Sequence, residues 1–309
     1  MTKTNLSFTH IALFLLLLLF VDIIHAQSKF KVSNIRSQSV SLDTEIKKAI
    51  SGFQGNVWIY AKNIDTGRSY ELRADERVRT ASTIKLAIMV EVFAQVADGS
   101  LNWNDKFIIK NKVGGSGILS EFTDGLEVDL KTLVNLMIVV SDNTATNIIL
   151  DRIGADSVNE RMQKLGFKYI RVLRKIGGGG EAKIMKENNN HLFGIGVSTM
   201  REMAKLLEMM EKGEIISKKA SREMISILRR QQYTDGIGRG LLDTTPIASK
   251  SGALDRLRSD VGIIYTRKGR LVIAITIDDM PFVLYNQENP GLKKKHCPSR
   301  ALMWQLCTL

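Results

Sequence analysis

The chain has 309 residues, 44% of them apolar, with 44 Lys and Arg against 32 Asp and Glu for a formal net charge of +12. The basic residues are scattered, with the densest run at Lys293 to Lys295 and no aromatic-interleaved basic patch, so nucleic acid is not an expected partner. Of the four histidines, His10 and His25 fall in the first 25 residues, and His191 and His296 alone cannot build a histidine-rich zinc site, so no metal or other cofactor is expected.

Residues 1–26 carry an early Lys3, an apolar run from Ile11 to Phe20, and Ala26 before the polar Gln27. This reads as a secretory signal peptide cleaved near Ala26, giving a periplasmic or secreted protein. A membrane anchor is the alternative, but the run is about half the roughly 20 residues a spanning helix needs, and Asp22 interrupts its end. No stable membrane insertion is expected after cleavage. Cleavage removes Lys3 and Asp22 together, so the net charge belongs to the mature chain, whose roughly 280 residues can bury one large core or two small ones.

A helix is expected in "SLDTEIKKAISGF". The β-rich runs 56–63 and 68–74, joined by Asp65, Thr66 and Gly67, read as a hairpin. From Ser82 to about Leu241 the periodicity is mostly helical. It is clearest in "DLKTLVNLMIVV", "TATNIILDRIG", "DSVNERMQKLG" and "STMREMAKLLEMMEKG", the last with a capping box in Thr199 and Glu202. Strands return at 247–254, 259–269 and 270–279, with a turn at Lys268 and Gly269. A further helix is expected after Pro298, which places Cys297 and Cys307 about 15 Å apart, beyond disulfide reach, so both are expected as free thiols. No repeat or low-complexity linker breaks the chain. The order implies an α+β fold: a five-stranded antiparallel sheet from both chain ends (about 40–78 and 245–309), flanked by helices, with a helical domain inserted at about 79–244. A site at their junction could draw on both parts.

Ser82 and Lys85 stand three apart where "STIKLAIMVEVF" begins a helix, so both fall on one face. A serine hydroxyl is a poor nucleophile until a base takes its proton, and lysine can be that base only if burial or nearby positive charge makes its neutral form accessible. Alone, the pair reads equally as a helix cap and a surface cation. Two other stretches give it company. "VVSDNTATN" puts Ser141, Asp142 and Asn143 at a corner between two helical runs, and "ASKSGALD" puts Lys250, Ser251 and Gly252 in a strand where glycine allows close approach.

In this order, "STIK", "SDN" and "KSG", together with "GGSGIL" at 114–119, resemble the penicillin-recognising serine hydrolases, most closely the class A β-lactamases. The resemblance implies a β-lactamase/transpeptidase-like fold and an acyl-enzyme at Ser82, with Lys85 as its proton partner. Ser141 would relay a proton to the departing nitrogen. Asn143 would hold Lys85 and the substrate amide, Lys250 and Ser251 would take the substrate carboxylate, and the N–H groups of Ser82 and Ala253, beyond Gly252, would form an oxyanion hole. Asp142 is expected to fix the corner through backbone bonds. The implied substrate is a small β-lactam or a cell-wall peptide-like molecule, and the implied state a monomer. Class A enzymes also position a deacylating water with a loop glutamate and asparagine. The corresponding stretch here falls near Lys183, where Glu181 and Glu187 (with Asn190) are the candidates and neither reproduces the family pattern. The resemblance therefore leaves open a hydrolase that turns over, a D-alanyl-D-alanine carboxypeptidase or esterase-like relative, and a binding or sensor protein that stays acylated.

Overall fold

The computed structural model describes residues 41–239, 241–281 and 309. The expected signal-peptide segment, both cysteines, His296 and the expected helix after Pro298 lie outside these residues. Helix α1 (Leu42–Ile50) has Asp43 and Glu45 in its first turn and Lys47 and Lys48 in its last, the order the helix dipole favours. It buries Ile46 against one face of the sheet.

Strand β1 (Asn56–Asn63) alternates half-buried and buried residues, as a strand with one well-covered face should. It pairs with β2 (Ser69–Leu72) on one side and, on the other, with β10 (Gly269–Asp278), Asn56 facing Asp278. Next come β9 (Leu257–Thr266) and β8 (Ile247–Leu254), giving an antiparallel sheet in the order β2-β1-β10-β9-β8 with β8 at an edge. The central strands β9 and β10 are buried on both faces over most of their length. Two clusters make this possible: Ile46, Ile59, Ile264, Ile273 and Leu309 on one face, and a larger helical core on the other. The β9–β10 turn falls at Arg267 and Lys268, one residue earlier than expected, and Gly269 already pairs with Thr266.

Between β2 and β8 lie six helices among the described residues: α2 (Lys85–Ala97), α3 (Leu130–Val139), α4 (Asn143–Ile153), α5 (Ala155–Lys164), α6 (Met200–Lys212) and α7 (Lys218–Leu228). Short strands accompany them, β3 (Val78–Arg79), β4 (Lys106–Ile108), β5 (Glu127–Asp129), β6 (Arg171–Val172) and β7 (Gly196–Ser198), each too brief to leave a periodic signal in the sequence. Helix α2 is apolar nearly all round and buried from Lys85 to Ala94, which marks it as the axis of the larger core. Thr199 caps α6 by accepting the Glu202 N–H. The expected reciprocal bond is replaced: the Glu202 carboxylate accepts the N–H groups of Lys168, Tyr169 and Ile170 instead, tying α6 to the chain ahead of β6.

Candidate active site

A cleft of about 670 Å³ opens beside the edge strand β8. Ser82 lines it from a 3-10 turn, Ala81–Ile84, that leads directly into α2. The turn is tight enough to hold Ala81 at φ 46°, a left-handed conformation that costs of order 1 kcal/mol in a non-glycine residue. Strand β8 runs hard against it: a Cβ on Gly252 would lie 2.9 Å from Ser82 N and 2.9 Å from Thr80 O. Here glycine is required by proximity to the serine backbone.

Lys85, the first residue of α2, is fully buried. Its ammonium donates to Ser141 O (2.7 Å), Ser141 Oγ (3.2 Å) and Asn143 Oδ1 (2.9 Å), which accounts for its three donors. It is thus directed at the Ser141 corner and not at the adjacent hydroxyl. Ser141 follows α3 with φ 55°, and this left-handed backbone lets its carbonyl and its hydroxyl face the same lysine. From β8, the equally buried Lys250 donates to Ser141 Oγ (3.0 Å) and to Ser251 O (2.7 Å). One hydroxyl therefore bridges two enclosed ammonium groups. Burial, then repulsion from Lys250, holds Lys85 well below the ordinary lysine range, while the charge of Asp142 acts in the opposite sense. Burial brings Lys250 down to about 7, with Asp260 pulling upward.

Asp142 caps α4 through Ala145 N (2.8 Å) and accepts Ile118 N (2.7 Å) and Leu119 N (2.8 Å), holding the 114–119 segment over the corner as expected. Asn143 spends one amide hydrogen on Gly114 O at 2.8 Å. Ser251, Gly252 and Ala253 line the cleft with Ser82, Ser141 and Asn143.

The two loop glutamates are placed elsewhere. Glu181 is exposed and accepts the N–H of Gly179 at 3.2 Å, a bond within its own loop. Glu187 is exposed at the end of the 3-10 turn Lys183–Lys186, and neither belongs to the described lining of the cleft. Asn190 is buried and anchors the loop by donating to Ile184 O and accepting from Arg77. Asn147, one turn along α4 from Asn143, instead fixes the backbone of Ile176 with a pair of bonds, Asn147 Nδ2 to Ile176 O (2.9 Å) and Ile176 N to Asn147 Oδ1 (3.0 Å). The residue so held, Ile176, is apolar, and glycines 177–180 follow it. His191 is exposed in this loop, away from the described cleft lining.

Sequence reasoning missed Tyr233, Asp235, Arg258 and Asp260, which also line the cleft. The available signal was in "SDVGIIYT": an acid inside a strand otherwise reading as a buried apolar run. Among the described residues there is no metal-binding cluster of His, Cys, Asp or Glu, and no helix long and apolar enough to cross a membrane.

An α+β fold with a serine, two buried lysines and a bridging hydroxyl at one cleft defines the class of protein: a serine hydrolase. The family follows from comparison. The model of the β-lactamase enzyme family matches residues 41–291, and the chain belongs to that family. It is similar to a β-lactamase of Bacillus licheniformis, 25% identical over 241 residues that cover 77% of this chain and 76% of the relative. Among solved structures it resembles a β-lactamase from Sphaerobacter thermophilus (27% identity, TM-score 0.73, 87% of this chain and 97% of that one). It also resembles a mutant of PBP-A determined as an acyl-enzyme complex with penicillin G (25% identity, TM-score 0.72, 87% and 97%).

Proposed function

We propose that the protein opens β-lactam rings through an acyl-enzyme at Ser82. The observation that carries this reading is the Lys85–Ser141–Lys250 chain behind the serine, because it offers both a base and a route for the proton. With its charge penalised by burial and by Lys250, Lys85 has an accessible neutral form, which gives up one of its three bonds to the Ser141 corner, turns the freed lone pair to Ser82 and takes its proton as the hydroxyl attacks the carbonyl. The backbone N–H groups of Ser82 and Ala253 receive the developing oxyanion. Ser141 passes a proton to the departing ring nitrogen and is resupplied from the lysines it bridges. Lys250 and Ser251 take the substrate carboxylate, and Asn143, with one amide hydrogen left, takes the side-chain carbonyl. Acylation of PBP-A by penicillin G, in a neighbour of the same fold, supports the first half of this sequence.

A second reading, a protein that acylates and releases its product slowly, is favoured by one observation: the 173–195 loop brings neither Glu181 nor Glu187 into the described cleft lining. A carboxypeptidase or esterase-like relative would use the same nucleophile. Export to the periplasm or medium, and action as a monomer, fit the N-terminal segment and the self-contained site. Mixing the mature protein with a chromogenic cephalosporin while following absorbance and intact mass tests both readings. One adduct at Ser82, absent in Ser82→Ala, is expected. Sustained turnover selects the hydrolase and a persistent adduct the acylated binder, whereas an equal adduct in Ser82→Ala refutes the assignment.

A further inference from the structure

Helix α3 ends just before Ser141, and the last carbonyls of a helix have no partner within it. One distant segment supplies partners for three of them. Gln231 Nε2 donates to Ile138 O (3.2 Å), Gln232 N to Val139 O (3.1 Å) and Tyr233 Oη to Val140 O (3.2 Å). Gln231 Oε1 also accepts the N–H of Tyr233 at 3.2 Å, which ties the two residues into one turn. Further along, Ile237 N donates to Asp260 Oδ2 of β9 at 2.8 Å. Residues 231–237 thus form a strap from the Ser141 corner to the sheet. Tyr233, Asp235, Gly236 and Ile237 of this strap line the cleft.

The capped carbonyls matter because of the residue they precede. Ser141 has φ 55°, a left-handed conformation that a non-glycine residue keeps only where its surroundings fix it. From inside, the corner is held by the two lysines and by the N–H of Asp142, which donates to Leu136 O at 3.0 Å. From outside it is held by the strap, and Val140 O has Ser116 Oγ as a second, longer donor at 3.4 Å. We propose that Tyr233 is a positioning residue for Ser141: its hydroxyl pins the Val140 carbonyl, so that the Ser141 hydroxyl stays between the lysines and the departing nitrogen. The inference rests on the functional reading above. In that reading the proton removed from Ser82 passes through Lys85 and Ser141 to the nitrogen as the C–N bond breaks. A displaced Ser141 therefore slows bond cleavage, while Lys250 and Ser251 still hold the substrate carboxylate.

The demand on Ser141 depends on the leaving group, because an amine nitrogen must be protonated as it departs and a phenolate need not be. Tyr233→Phe keeps the ring and removes the one donor. Single-turnover acylation of the mature chain is measured with penicillin G and with the 3-carboxyphenyl ester of phenylacetylglycine. The ester has the same phenylacetamido group and a carboxylate, but it expels a phenolate. For penicillin G the limiting rate should fall about fivefold, within the range of one hydrogen bond, with the half-saturating concentration within about twofold of wild type. Adding Ser116→Ala leaves Val140 O with no side-chain donor among the described residues and should deepen the loss to about tenfold or more. The ester should acylate all three proteins at rates within about twofold of one another. Equal losses for amide and ester, a change confined to the half-saturating concentration, or wild-type kinetics with both substrates in the double variant overturn the inference. If the double variant does not fold, the single one decides. Absence of any wild-type adduct with penicillin G overturns the functional reading and the inference with it.

Discussion

Lys85 shows how much one side chain can be asked to do. A fully enclosed ammonium is tolerated because three acceptors meet it, and the same enclosure makes its proton easy to lose. Lys85→Arg keeps the charge but does not deprotonate at working pH, so single-turnover acylation should fall roughly 10²-fold or more. Near wild-type acylation would show that Lys85 is an electrostatic prop only. Lys250 makes a prediction about stability. Its folded pKa of about 7 lies below the unfolded lysine value of about 10.4, so between these the unfolded state binds the proton more and wild-type stability rises with pH. Lys250→Met removes this dependence. Thermal melts should find the variant more stable than wild type at pH 6.5, with the gap narrowing by pH 9.5, while steering of the substrate carboxylate is lost. Asp260 acts in the opposite sense and in a different window, between about pH 4 and 7, because its carboxyl is raised and not lowered.

At the scale of elements, the site depends on how closely β8 approaches the turn before α2. Gly252→Ala places a methyl group 2.9 Å from Ser82 N, so the turn must retreat. Acylation should drop roughly tenfold or more as the oxyanion donors separate, with a cost of about 1–3 kcal/mol from overpacking, read from a denaturant melt. The 173–195 loop gives the opposite expectation. With Glu181 turned to its own backbone and Glu187 exposed, Glu181→Gln and Glu187→Gln should each leave deacylation within about twofold of wild type. Accumulation of acyl-enzyme in either variant, followed by intact mass, would return that carboxylate to the site. Sequence spacing could not decide this. Glu187 and Asn190 have the composition of the family's pair, yet Asn190 is consumed in bonds to Ile184 and Arg77.

Across the whole molecule, the sheet closes only when β1, near the start, pairs with β10, more than 200 residues later. Pairing of such separated segments should make folding slow and all-or-none within this unit, with far-UV circular dichroism and tryptophan fluorescence reporting one coincident transition. Trp58 on β1 and Trp103 beside Phe93 of α2 sample the sheet and the helical core respectively. Separated transitions would mean that the helical interval folds on its own. Most of the architecture was legible from local patterns, namely alternation in 56–63 and the 3.6-residue period from Ser82 onward, and three short motifs named residues that the fold brings together at the cleft. Those signals are local because helix and strand periodicity record which face is covered. Tertiary structure alone decided that Lys85 faces Ser141 and not Ser82, that the loop glutamates stay outside the described cleft lining, and that Asp260 enters it. Each depends on which backbone comes within hydrogen-bonding distance across a fold closed by distant segments, and sequence periodicity does not encode that distance.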